Sequence, residues 1–388
     1  MRSGVFNFLA QDRVHFGIAA AAGIAAEAGE RGARRIVVVT SRSLNRSTTA
    51  VVDALAAVRE RVVGVFDECV EHTPRDTVLA LARQLRDKQA DLIVSIGGGT
   101  VIDTVKVALV CLAEGLDDVD AMGLWHMRVE ADGTRVTPQP RMPPCRQIAV
   151  PTTLSGAEFS DLGGCTDTRH GTKQGYTGRY IGPAAVILDP AITVHTPDRL
   201  WLSTGIRAVD HAVEALCSVN AQPLVDATSL RALALLQRAL TRYPDARDDL
   251  DARLDAQLGA WLAAFSIRRT EYGASHGLGH ALGADSGVPH GITSCVLLPT
   301  VMRWNAAHCA APLAEVAAAL GDAARPAADQ VEALIARLGL PTRIGQLGID
   351  RKRLAFIAEK GLANPWVRTN PRRIDHAHQL VEILEAAW

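Results

Sequence analysis

Apolar positions in the first half of the chain follow two alternating rhythms. Short unbroken runs, "RRIVVVT" (34–40), "VVGVF" (62–66) and "DLIVSIGGGT" (91–100), read as buried strands, the last running into a glycine turn. Between them, "TTAVVDALAAVRER" (48–61) and "RDTVLALARQLRDKQ" (75–89) repeat apolar residues at helical spacing. "RQIAVPTTLSGAE" (146–158) and "AAVILDP" (184–190) supply two more strands. Strand–helix–strand units of this kind predict a parallel sheet with helices on both faces.

Past Pro190 the texture changes to Ala/Leu-rich, helix-periodic stretches such as "LSTGIRAVDHAVEALCSV" and "LDARLDAQLGAWLAAFSIR". The expected architecture is an α/β domain over 1–190 and an all-helical domain over 191–388, with a ligand cleft between them. Residues 113–145 are polar and proline-bearing, with Asp132-Gly133 suggesting a hairpin tip, and read as a surface insertion. The chain has no internal repeat.

Composition narrows the class. Lys and Arg (41) nearly balance Asp and Glu (42), without a dense basic run, which argues against nucleic acid or an anionic membrane as partner. The apolar runs are strand-length, too short to span a bilayer, and the N-terminus lacks the continuous apolar stretch of a signal peptide. The seven cysteines are scattered, with no CxxC pair, as expected for reduced thiols in a cytoplasmic enzyme.

"SIGGGTVIDTVK" (95–106) couples an apolar strand to a helix through three glycines. Such a turn lets the backbone approach a diphosphate and aims the helix N-terminus at it; the plain alternative is a flexible connection. Asp103 and Lys106 follow on the first turns, and the spacing is not GxGxxG. Together "GGGTVIDTVK", "PTTLSGAE", "AVILDP", "HGLGHALGADSGVPHG" and "NPRRIDHAHQLVEILEAAW" resemble, in order, the iron-containing (group III) alcohol dehydrogenase superfamily, whose fold is shared with dehydroquinate synthase. "VFNF…RVHFG" and "VVGVFDECVEHTPRD" (62–76) are similar to its maleylacetate reductase branch.

The resemblance implies hydride transfer with NAD(H) or NADP(H), and a homodimer. It places Gly97, Gly98, Gly99 and Thr100 on the diphosphate, with Asp103 beside them. Thr152, Thr153 and Leu154 fall on the adenosine and nicotinamide parts, and Lys173 on the ribose. Where family members carry an Asp for the adenosine ribose, this chain has Ser41 followed by Arg42. That exchange removes repulsion of a 2′-phosphate and offers it a cation, unless Arg42 is merely a solvated loop charge.

Three histidines, His276, His280 and His290, crowd one short stretch. Metal-dependent family members hold Fe²⁺ or Zn²⁺ through an Asp four residues before a first His, and through two further His fourteen apart. His211, His276 and His290 match the three histidines, but the Asp position is Arg207, which cannot ligate a cation. Asp210 points about 100° round the helix from His211 and reads as a poor substitute ligand. Three readings stand: a weak three-histidine metal site, a metal-free site in which Arg207 supplies the positive charge, or satisfied core histidines. In the second, Arg207 with His276 or His290 stabilises the developing oxyanion and His280 donates the proton; the bland reading of His280 is a helix-face residue. The leading function is reduction of a small oxo or enone carboxylate. The alternatives are a metal-dependent alcohol or aldehyde dehydrogenase, a non-redox lyase or cyclase of the dehydroquinate synthase type, and an inactive dinucleotide-binding protein.

Overall fold

A computed structural model describes residues 4–130 and 134–388. The chain divides into two units. One comprises Asn7–Thr153 and Ala157–His195; the other comprises residues 4–6, Leu154–Gly156 and Thr196–Trp388.

The first unit is built on β1 (Arg13–Phe16), β2 (Ile36–Thr40), β3 (Val62–Phe66) and β4 (Leu92–Gly97), followed by a small hairpin, β5 (Arg128–Val129) and β6 (Arg135–Val136). Then come β7 (Arg146–Pro151), a second hairpin of β8 (Leu162–Asp167) and β9 (Thr172–Thr177), and β10 (Ala185–Leu188). Six strands form one parallel sheet in the order β1-β10-β7-β4-β2-β3. The expected strands at 34–40, 62–66, 91–100, 146–158 and 184–190 are all present. Alternation divides β2 and β4 between two cores: Val37, Val39 and Ile93 face one layer of helices, Ile36, Val38, Leu92, Val94 and Ile96 the other. Winding reverses between β2 and β4, so the glycine turn that ends β4 lies where doubly wound sheets open a crevice.

Several expectations change. The single helix expected over 48–61 is broken into the helix Ala50–Ala54 and a 3₁₀ turn, Ala56–Arg61, and a separate helix, Arg42–Ser47, precedes them. The physical reason is local: Ser41 caps a helix that starts earlier, and Thr48, in extended conformation, folds its hydroxyl back on Leu44 and ends it. The 113–145 segment is more than a surface insertion. Met122 is fully buried and its carbonyl accepts from Tyr176 Oη at 3.2 Å, while the Met127 amide bonds Gly175 at 2.8 Å, which fastens the segment to the β8–β9 hairpin. The Asp132-Gly133 tip lies outside the described residues, but β5 and β6 pair antiparallel on either side of it.

Among its described residues the second unit is all helix. The helix Asp198–Leu216 is buried at every residue from Trp201 to Leu216, so even its charged side chains lie inside. Pro223–Arg242 and Leu250–Ala264 pack with it around Ile206, Val209, Leu233 and Leu236, and Ala274–Ser286 and His290–Asn305 follow in the chain. No helix among the described residues is long and apolar enough to cross a membrane, and all seven cysteines are free thiols.

One buried charge in the α/β unit has a measurable consequence. Lys106 has no exposed surface; its ammonium donates to the carbonyls of Ala157 and Leu162 and pairs with Asp103 at 3.1 Å. The neighbouring Glu158 is buried with Oε2 unpartnered, and burial pushes its carboxyl up to about 7, only partly opposed by its own backbone hydrogen bond and by Lys106. A raised carboxyl contributes stability that is present below the unfolded value of 4.5 and is lost as pH climbs through about 7. Glu158→Gln, neutral throughout, should therefore gain on the wild type by on the order of 3 kcal/mol between acid and mildly alkaline pH. Urea unfolding at several pH values measures this; a pH-independent difference would contradict the assignment.

Candidate active site

In the α/β unit the coenzyme candidates surround the end of β4. Thr152 N donates to Gly97 O at 3.0 Å, joining the ends of β4 and β7. The helix Gly99–Glu114 starts at once, so its first amides, among them Gly99 and Thr100, have no acceptor within the helix and face outward with the positive end of the dipole. Gly98 is required by close approach: a Cβ there would stand 2.9 Å from the Thr153 side chain. These groups fit a diphosphate. Asp103 is committed elsewhere, to Lys106 and to the Gly164 amide at 3.0 Å. The exposed Lys173 reaches the same glycine, its Cε 3.1 Å from where a Gly164 Cβ would be. Ser41 accepts the Leu44 amide as a helix cap, and Arg42 beside it is exposed. Leu154, expected at the coenzyme, has no exposed surface; it is packed in the helical core with its amide on Thr204 Oγ1 at 3.1 Å. Its side chain serves packing.

In the helical unit the site is organised by one stripe of the Asp198–Leu216 helix. Arg207, Asp210, His211 and Glu214 stand at i, i+3, i+4 and i+7, hence on one face. Glu214 caps the helix Ala274–Ser286: its carboxylate accepts the amides of Gly273, Ser275 and His276 at 2.9–3.2 Å and His276 Nδ1 at 2.7 Å. His276 is thereby oriented, and its buried Nε2 has no hydrogen-bond partner among the described residues. Asp210 Oδ2 accepts from Ser275 Oγ at 2.9 Å and Ser294 Oγ at 2.6 Å. Burial acts to raise the Asp210 carboxyl, but His276, Arg207 and the Ser294 bond outweigh it and hold it below the ordinary carboxylate range.

Arg207, 8% exposed, donates from Nη1 to Ser294 Oγ at 3.0 Å and lies 3.5 Å from Asp210 Oδ2; among the described residues it makes no other hydrogen bond. His211 stacks against Tyr272 and His276, with ring centroids 5.6 and 5.0 Å away. Burial, then His276 and Arg207, push its imidazole well below the ordinary histidine range, so it is neutral. Further along, the half-buried His280 and His290 have rings 5.0 Å apart, and Trp366 sits 4.8 Å from His280 and 5.7 Å from His276. His280 Nδ1 has Asn364 Nδ2 at the long distance of 3.5 Å.

The structure thus joins His211 to His276 and His280 to His290. It does not gather His211, His276 and His290 into one ligand set: among the described residues the group whose ligand atoms converge within 4.8 Å is Asp210, Glu214 and His276. Asp210, set aside as a poor ligand because of its angle from His211, belongs to this group, with its Oδ1 3.5 Å from His276 Nδ1. Glu214, Tyr272, Ser275 and Ser294 were not singled out from the sequence; the i, i+3, i+4, i+7 spacing of "RAVDHAVE" (207–214) was the available signal for Glu214.

A doubly wound α/β unit with a glycine turn at its switch point, joined to a helical unit carrying a polar histidine stripe, defines a dinucleotide-dependent oxidoreductase. The model of the iron-containing alcohol dehydrogenases matches residues 11–190, and that of the C-terminal part of the same family matches 201–388. The chain belongs to the iron-containing alcohol dehydrogenase family, whose members work with NAD(H) or NADP(H). It is 34% identical to dehydrogenase FUM7 of Gibberella moniliformis, over 91% of this chain and 90% of that one. It is 28% identical to maleylacetate reductase of Burkholderia cepacia, over 95% and 94%. Among solved structures, maleylacetate reductase from Agrobacterium tumefaciens superposes with a TM-score of 0.82 at 27% identity, over 100% of this chain and 99% of that one. A 1,3-propanediol oxidoreductase superposes at 0.89 with 26% identity, over 99% and 100%.

The geometry of the stripe depends on helix contact. A Cβ at Gly291, in the first turn of His290–Asn305, would stand 2.7 Å from the Ser203 backbone, so only glycine lets these helices touch and brings Ser294 to Asp210. Gly291→Ala should cost about 1–3 kcal/mol and lower turnover with it. Urea denaturation alongside steady-state assay checks this; an unchanged midpoint would mean that the contact yields freely.

Proposed function

We propose that the protein is an NAD(P)H-dependent reductase of a small oxo or enone substrate bearing a carboxylate, similar in chemistry to maleylacetate reductase, and that it works without a tightly held metal ion. The observation that carries this reading is Arg207, a nearly buried guanidinium tethered through one nitrogen, with its other N–H groups unspent. Such a group suits a bidentate carboxylate or a developing alkoxide.

The donor set suits a divalent cation poorly. Glu214 is spent on four N–H groups, and Arg207 stands 3.5 Å from Asp210. Two carboxylates and one guanidinium leave the buried group one negative charge in excess; one proton balances that, whereas a divalent ion would leave an unpaired buried positive charge.

The roles follow. Gly97, Gly98, Gly99, Thr100, Thr152 and Thr153 hold the coenzyme on the α/β unit, with Lys173 toward its ribose. The bound nicotinamide supplies the reducing equivalent. Arg207, and His276 braced by Glu214, stabilise the oxygen that gains negative charge. His280, one turn beyond His276, donates the proton. The convergence of Asp210, Glu214 and His276 favours a second reading, a metal-dependent alcohol dehydrogenase.

Arg207→Ala should lower kcat/KM for a keto acid by about 10²–10³, with the affinity for NAD(P)H unchanged. The purified enzyme should hold no stoichiometric iron or zinc and keep its rate under EDTA. Wild-type turnover in Arg207→Ala would remove the proposed role, and activity that is lost to chelator and restored by metal would establish the second reading.

A further inference from the structure

Asp210 has no exposed surface, and a buried carboxylate persists only where specific partners offset its desolvation. Its partners come from three helices. Ser275 on Ala274–Ser286 and Ser294 on His290–Asn305 both donate to Oδ2, and Arg207, one turn back on its own helix, lies beside the same oxygen. Ser294 stands in the middle of this arrangement. A hydroxyl has one proton to give; Ser294 gives it to Asp210 at 2.6 Å and so turns a lone pair toward Arg207 Nη1 at 3.0 Å. The carboxylate orients the hydroxyl, and the hydroxyl orients the guanidinium. On its other side Asp210 Oδ1 faces His276 Nδ1 at 3.5 Å, behind the closer Glu214.

We propose that Asp210 is a positioning residue: acting through Ser294 it fixes the direction in which Arg207 presents its free N–H groups. This rests on the reading of Arg207 given above. Asp210 itself touches neither substrate nor coenzyme.

The competing account is that Asp210 merely fastens three helices. The two accounts differ in what they couple to. A fastener lowers stability whichever residue stands at 207, and its effect on rate is independent of the guanidinium. A positioning residue affects turnover only while Arg207 is present. Asp210→Asn keeps nearly the same shape and one acceptor but removes the charge. Ser294→Ala keeps the carboxylate and removes the link.

The test is a double-mutant cycle on the purified enzyme with saturating NADH or NADPH and the keto acid it turns over best. Asp210→Asn and Ser294→Ala should each lower kcat about 10- to 100-fold, with NAD(P)H affinity by fluorescence titration unchanged. In an Arg207→Ala background either change should alter kcat less than about threefold. An equal loss in both backgrounds, or no loss in the wild-type background, overturns the proposal. If Asp210→Asn does not fold, Ser294→Ala carries the comparison. A crystal structure of the folded variant with coenzyme bound supplies a readout independent of rate. Asp210→Asn should release the guanidinium from Ser294, and Ser294→Ala should turn it to a new direction. A guanidinium unmoved in the variant overturns the proposal even if Arg207→Ala proves harmless, whereas full activity of Arg207→Ala beside a displaced guanidinium overturns only the catalytic reading of Arg207.

Discussion

A guanidinium shut away from water must be offset locally, and that requirement shapes the interior of the helical unit. Removing Arg207 from solvent disfavours its charged form, and burial does lower its pKa from the ordinary arginine value. Asp210 and Glu214, one and two turns further along the same helix, are the carboxylates that oppose this. Neither is free to serve Arg207 alone. Glu214 satisfies the opening amides of Ala274–Ser286, which would otherwise be orphaned inside the protein. Asp210 draws in serines from two other helices. The charge placed on one helix thereby dictates how its neighbours start and how closely they approach, and the touching backbones at Gly291 and Ser203 are the steric expression of that dependence.

The two units handle charge by opposite means. In the α/β unit the coenzyme candidates are mostly backbone: the glycine turn and the opening of Gly99–Glu114 offer dipoles, which cost little to leave facing a crevice. Lys106, the buried cation nearby, is satisfied by two carbonyls and Asp103. In the helical unit the polar groups are charged side chains whose partners are other side chains. A backbone cradle tolerates exchange of the residues around it; a side-chain network does not, because each member holds two or three others. The position of Leu154, at the passage between the units, follows the same division: the threonines before it belong to the sheet, and its own side chain fills the helical core.

How much of this was legible in the sequence depends on how much each signal was local. Strands β2, β4, β7 and β10 could be read because central strands of a parallel sheet are apolar runs, and β3, at the other edge, because "VVGVF" is itself an apolar run. Arg13–Phe16 could not, since an edge strand of four residues with two polar ones has no period to detect, and "LGGCTD" of β8 carries too little apolar surface. The spacing of His211, His276 and His290 was legible as a motif, but motif spacing does not place side chains in space. The place of Asp210 among its neighbours was hidden for a geometric reason. Measured from His211 it lies about 100° away, yet measured from Arg207 an i+3 step stops about 60° short of a full turn, within reach of the same neighbours. Considering residues two at a time hid a four-residue stripe.

That stripe also bears on what an Arg207→Asp exchange would do. An aspartate at 207 would stand four residues before His211, the ligand spacing that the histidines match. It would also leave Asp210 and Glu214 buried beside a third carboxylate with the guanidinium gone. Three negative charges against one divalent cation leave the same excess of one that the two carboxylates and Arg207 leave now, and the Ser294 hydroxyl bonded to Asp210 carries no charge to offset it. One proton balances either arrangement, but only the present one offers a guanidinium to Ser294 and Asp210. Arg207 and Asp210 are thus linked through one hydroxyl across adjacent turns of a helix, and a substitution at either position is weighed by the state of the other.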